Sequence, residues 1–302
     1  CCMANFLLIG ICILVGLLVR RYTAIPADAY KGVNALIINL ALPAVAFKYL
    51  PHIQWTKSLI LPAAMPVIVW LCGWAYIKAY AAKAKLNKQT ESGLKLVTGL
   101  SNTSFLGFPL IIAWFNDDAL GIAVICDQVT FMLLATAGIV VAMNASEKHT
   151  LSAGAVLKKM FSFPPFVGCV AALVLPLFLN LSPFDPLFDM LAATVAPLAL
   201  FSIGLQLKFD GWRRELNHLA VSFLYKLVLA PLIIFSIVYF LGMKGVIPQI
   251  SIFESAMPSH LTATIVASEY NLNPKLTSLV AGIGIVMSFV TTALWYFIIK
   301  GI

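Results

Sequence analysis

The chain has 302 residues, of which 61% are hydrophobic and 11% charged, and its formal net charge is +8. Soluble domains are about 45–50% apolar and about 25% charged, so a water-soluble globular fold is excluded: it could not hide this much apolar side chain. A bilayer solvates an apolar exterior, and the mean hydropathy of +0.97 implies an all-α integral membrane protein.

A transmembrane helix needs about 20 mostly apolar residues. In chain order the candidates are ten runs, at 3–19, 32–50, 58–79, 94–115, 119–143, 164–181, 187–207, 217–241, 248–270 and 274–299. The connections are too short to hold a soluble domain. Span 2 carries Leu40-Ala41-Leu42-Pro43-Ala44-Val45-Ala46-Phe47, and span 7 carries Thr194-Val195-Ala196-Pro197-Leu198-Ala199-Leu200-Phe201, with the prolines 154 residues apart. Spans 4 and 9 carry Pro109 and Pro258, 149 residues apart. The similar offsets predict two repeats of five helices, 1–148 and 149–302. An odd number of spans per repeat inverts the second in the membrane. Inverted repeats with helices interrupted at corresponding positions point to a secondary transporter.

Fifteen of the twenty Lys and Arg residues, including Arg20, Lys148, Lys158, Lys159, Lys208 and Lys275, fall in or beside the loops after spans 1, 3, 5, 7 and 9. That excess marks the cytoplasmic side of a plasma (inner) membrane and predicts both termini outside. It also accounts for the net charge, so no nucleic-acid partner is implied. Aromatic residues near span ends, such as Trp55, Tyr80 and Trp295, read as interfacial belts. His52, His149 and His218 fall at helix ends or loops and read as solvent-facing. Cys12, Cys72, Cys126 and Cys169 lie in apolar runs with no C-x-x-C spacing and read as packing residues. Without a P-loop, an H-E-x-x-H or a Cys/His cluster, the sequence predicts no enzyme, no metal site and no cofactor.

Span 4 contains Ser101-Asn102-Thr103-Ser104 ahead of Pro109, and span 9 contains Pro258-Ser259-His260-Leu261-Thr262. Proline removes a backbone donor and clashes with the preceding turn, while neighbouring polar side chains can satisfy the carbonyls it frees. Helices broken at mid-membrane would expose N-termini with about half a positive charge, suited to a carboxylate. The candidate substrate-binding residues are therefore Ser101, Asn102, Ser104, Pro109, Pro258, Ser259, His260 and Thr262.

Ionisable groups within spans are costly and suggest function. Asp127, followed by Gln128, lies in span 5, and Lys226 in span 8; they are expected either to pair or to serve coupling and charge balance. Glu254 belongs to the same coupling group, although its place toward the outer end of span 9 reads as water-facing.

These segments resemble the auxin efflux carrier family in its bacterial, loop-poor form. The resemblance is carried by Leu40 to Phe47, by Ser101-Asn102 to Pro109, by the Lys226-to-Pro231 spacing, and by Met257-Pro258-Ser259 with Ala267-Ser268-Glu269-Tyr270-Asn271-Leu272-Asn273-Pro274. It implies a sodium/proton antiporter-like fold with crossing helices 4 and 9. Spans 1, 2, 6 and 7 would form a scaffold, spans 3–5 and 8–10 a moving transport domain, with dimerisation through the scaffold. It also implies small carboxylates such as malate or malonate, or auxin-like acids, as substrates. The expected function is thus alternating-access transport of a small organic anion, with protons as a candidate coupling ion. A sodium-coupled symporter and a non-transporting anion sensor are the alternatives.

Overall fold

The computed structural model describes residues 2–22, 25–26, 28–53, 56–146, 154, 163–207 and 211–302, with side chains from residue 5 onward. Trp55, Lys148, His149, Lys158, Lys159 and Lys208 lie outside the described residues. The described chain is helical throughout, with no strand. In order it forms α1 (Cys2–Tyr22), α2 (Tyr30–His52), α3 (Lys57–Ala84), α4 (Lys88–Gly99), α5 (Thr103–Trp114), α6 (Asp117–Ala145), α7 (Pro164–Leu177), α8 (Ser182–Gln206), α9 (Trp212–Phe240), α10 (Val246–Ser255), α11 (Leu261–Glu269) and α12 (Pro274–Ile299).

Seven helices among the described residues are long and apolar enough to cross a membrane: α1, α2, α3, α6, α8, α9 and α12. The run at 94–115 is broken into α4 and α5, and the run at 248–270 into α10 and α11. The run at 164–181 yields only the short apolar helix α7. Lipid tails are as apolar as leucine, so helices in a bilayer associate through close backbone approach instead. Gly16 of α1 and Gly204 of α8 show this: a Cβ on Gly16 would meet the Phe201 carbonyl oxygen and lie 2.9 Å from the Gly204 Cα. Helix α2 seats Pro43 against Gly168 of α7 and stacks Phe47 on Phe188 of α8, with centroids 4.9 Å apart.

Three helical stretches widen into a π-helical turn that ends two residues before a proline. These are Ile37–Ala41 before Pro43, Thr103–Gly107 before Pro109, and Leu224–Leu229 before Pro231. A proline ring clashes with the carbonyl one turn back and offers it no N–H. Widening the preceding turn shifts the hydrogen-bond register and lets the helix continue. Pro109 is therefore inside a helix and the chain does not break there: the break is at Leu100–Asn102, one π turn upstream, where Leu100 is extended. Pro258, by contrast, lies in the break between α10 and α11. His218 is not simply solvent-facing either; it is half-buried, with Nδ1 2.7 Å from the Tyr80 hydroxyl.

Candidate functional site

The two breaks meet. The Asn102 N–H donates to the Pro258 carbonyl at 2.8 Å, and the His260 N–H donates to the Leu100 carbonyl at 3.0 Å. Ser101 and Ser259 thus form an isolated antiparallel bridge, two residues of strand pairing in an otherwise helical interior. Buried backbone polar groups need partners, and in this crossing each broken helix satisfies the other. The first-turn amides of α5 and α11 flank the bridge with the positive ends of two helix dipoles. On α11, the His260 ring caps the helix: Nδ1 accepts the Thr262 N–H at 3.1 Å. That bond assigns the proton to Nε2, the form in which one ring nitrogen accepts and the other donates. The ring meets Phe131 edge to face at 4.7 Å.

Ionisable side chains surround the bridge. Lys226 of α9 donates from Nζ to Ser101 Oγ. Asp127 of α6 accepts the Thr103 hydroxyl at 2.6 Å through Oδ1, and Ser104 faces the same carboxylate without completing a bond. An Asp127–Lys226 ion pair, one of the two readings of these residues, is not formed among the described residues; Lys226 is engaged instead by Ser101 in the α4–α5 break and Asp127 by Thr103 at the start of α5. Glu254 also departs from expectation. It is fully buried, with 0% of its surface exposed. Its carboxyl lies against Gly107, where a Cβ would sit 2.7 Å from both oxygens. It is within electrostatic reach of Asp127 and Lys226.

Among the described residues, the buried side-chain atoms without a hydrogen-bond partner are Asn102 Nδ2 and Oδ1, Ser104 Oγ, Asp127 Oδ2, Gln128 Oε1, both Glu254 oxygens and His260 Nε2. All belong to side chains that the sequence singled out for substrate binding or for coupling and charge balance. Buried polar atoms are ordinarily paired, so their concentration on Asn102, Ser104, Asp127, Glu254 and His260 makes the crossing the candidate site. Ser259 contributes its backbone to the bridge and is buried; Thr262 is half-buried and lines a small apolar cavity with Phe131, Leu134 and Phe163. Pro109 stands apart, one turn down α5.

Further cavities lie along α2 and α8, among them two beside Lys31 and Lys48 of α2. One of about 480 Å³ runs from Lys31 and Gln206 to Leu261, the first residue of α11. The other, of about 70 Å³, is lined by Lys48, Tyr49, Phe108 and Asp117.

The sequence pattern of the membrane transport protein family matches residues 2–296. The chain belongs to that family. Among its relatives, an uncharacterised transporter of Methanocaldococcus jannaschii is 26% identical over 302 residues, 97% of each chain. A candidate malonate transporter of Rhizobium meliloti is 25% identical over 303 residues, 96% of this chain and 93% of its own. Auxin efflux carrier component 1 of Arabidopsis thaliana is 27% identical over 108 residues, 34% of this chain and 17% of its own. This membrane transport protein is therefore an integral membrane transporter, similar to auxin efflux carriers.

Sequence reasoning missed three members of the membrane transport protein's crossing. Thr103 stood inside the polar cluster and holds Asp127. Gly107, which admits Glu254, carried only its place two residues before Pro109. Phe131, against His260, had no signal in an apolar span.

Proposed function

We propose that this protein is a secondary transporter that carries a small organic anion, a mono- or dicarboxylate, across the plasma (inner) membrane by alternating access. One observation carries the proposal: buried polar atoms without partners gather where two broken helices cross. Asn102 Nδ2 and His260 Nε2 are donors without acceptors there, and two helix N-termini add positive potential. A carboxylate supplies the acceptors these groups lack. The substrate would be held by Asn102, Ser101 and Ser104 from one break and by Ser259, His260 and Thr262 from the other. Asp127, Gln128, Lys226 and Glu254 would serve coupling and charge balance. The name of the Rhizobium meliloti relative favours a malonate-like acid.

In this proposal ten spans form two inverted repeats, 1–148 and 149–302, with α5 and α11 as the second halves of crossing spans 4 and 9. Helices α1, α2, α7 and α8 are the scaffold, in a homodimer, and the remaining spans rock against it. Both termini face outward. The cavity of about 480 Å³ beside Lys31 is then the cytoplasmic vestibule.

The test is transport by purified protein in proteoliposomes, with malonate, malate, succinate, lactate and indole-3-acetate offered in turn. Saturable uptake or counterflow of one of these acids, weakened by Asn102→Ala, is the expected result. If no carboxylate moves in any of these formats, the proposal fails.

A further inference from the structure

We propose that Glu254 is a proton carrier: it holds a proton while the crossing is closed and dry, and releases it to water when the crossing opens. As a coupling step this rests on the anion transport proposed above; the protonation itself does not.

Neither Glu254 oxygen has a hydrogen-bond partner among the described residues, and the side chain is fully buried. A carboxylate accepts only and needs donors, and here it finds none. The Gly107 N–H beside it is already given to the Asn102 carbonyl at 3.0 Å. Glu254 is also in the last turn of α10, where the helix dipole is negative and a second negative charge is repelled.

The neighbours that could alter this balance are few. α3, α6, α9 and α12 pack against α10. From α6 come Asp127 and the Cys126 thiol, and from α9 comes Lys226. From the break, His260 is neutral by its bond to Thr262. No titratable side chain of α3 or α12 among the described residues interacts with it. Glu254 interacts with one anion, Asp127, and one cation, Lys226, so with all three ionised two carboxylates would share a single ammonium. An ionised Glu254 would leave one negative charge uncompensated in a dry interior, beside a site that must also admit an anion. The proton removes that charge. The Glu254 O–H bond breaks when water reaches the carboxyl; the proton leaves to solvent and the electron pair stays on the carboxylate.

Infrared difference spectra of the purified full chain between neutral and alkaline pH test the protonation directly. A protonated-carboxyl C=O band is expected in the wild type, lost in Glu254→Gln and kept in Asp127→Asn. No such band at neutral pH, or one that survives Glu254→Gln, overturns the proposal even if transport is normal. In proteoliposomes preloaded for malonate counterflow, Glu254→Gln should still exchange malonate but lose stimulation of uptake by an acid-outside gradient. Undiminished stimulation in that variant also overturns it. Failure of the wild type to move any carboxylate would remove the transport proposal and the coupling step, while the infrared band decides the Glu254 proton by itself.

Discussion

Lys226 and Ser101 are 125 residues apart in sequence, and the lysine ammonium donates to the serine hydroxyl inside the bundle. A buried ammonium left without an acceptor costs more than a neutral group in the same place. Ser101→Ala should therefore destabilise the protein by about 1–3 kcal/mol, the scale of a hydrogen bond to a charged group. Thermal unfolding in detergent would read this as a lower Tm. Adding Lys226→Met to Ser101→Ala should restore part of the loss, because the orphaned charge is gone. A double variant no more stable than the sum of the single changes would mean that the two side chains act independently.

Asn102 presents the opposite case. Both of its side-chain polar atoms are without partners among the described residues, while its backbone N–H holds the bridge to Pro258. Replacing the side chain with alanine keeps that backbone bond and removes two unsatisfied polar atoms. Asn102→Ala should thus leave Tm unchanged or slightly raised, yet weaken anion binding about tenfold or more, the equivalent of one lost charge-assisted hydrogen bond. Isothermal titration with malonate alongside the melting curve separates the two effects. A large drop in Tm with unaltered affinity would make Asn102 structural.

The contrast between these residues shows where sequence reasoning ends. An apolar run of about 20 residues has one solution in a bilayer, a helix, so α1, α2, α3, α6, α8, α9 and α12 were legible from hydropathy alone. The Ser101–Ser104 cluster and Pro258 were legible as disruptions of that pattern. What could not be read was which disruption breaks the chain. Pro109 is absorbed by the π turn at Thr103–Gly107, whereas the chain at Ser101 becomes extended because Pro258 and His260, on either side of Ser259, offer backbone partners. Those partners are supplied by tertiary structure. The destinations of Lys226 and Asp127 were hidden for the same reason. Ser101 and Thr103 are two residues apart, and only the rotation of α9 and α6 about the crossing assigns one hydroxyl to each. Glu254 looked water-facing because a polar segment near a span end ordinarily is; its burial depends on Gly107, whose missing side chain makes the room.

The α1–α8 contact tests the packing of the bundle away from the crossing. A Cβ on Gly204 would meet the Ile13 carbonyl oxygen and lie 2.9 Å from the Gly16 Cα. These are backbone atoms, and they cannot swing aside as a side-chain tip can. Gly204→Leu must push the helices apart, at a cost of about 1–3 kcal/mol or more by the measure of overpacked cores. A fall in Tm and in the yield of monodisperse protein is expected. Gly10→Leu, on the facing helix α1 but with nothing within 4 Å of its Cβ position, should leave both unchanged. Equal behaviour of the two variants would contradict the close approach.

Asn273 joins α11 to α12 with three separate functions. Its backbone is left-handed at φ 50°, its Oδ1 accepts the Leu276 N–H at 3.3 Å to cap α12, and its Nδ2 donates to Thr90 Oγ1 of α4 at 3.1 Å. Asparagine tolerates that φ better than most residues, and glycine better still. Alanine would lose the cap and the tie to α4 and would also pay the conformational cost, so Asn273→Ala should lower stability by about 1–2 kcal/mol. Asn273→Gly loses the same side-chain bonds but relieves the backbone, and should fall between alanine and the wild type. Asn273→Asp keeps the cap but turns the Nδ2 donor into an acceptor facing the Thr90 hydroxyl, which can rotate to donate in return. Melting temperatures in the order wild type, aspartate, glycine, alanine would support this division of functions; an alanine variant as stable as glycine would show that the left-handed backbone contributes nothing at this junction.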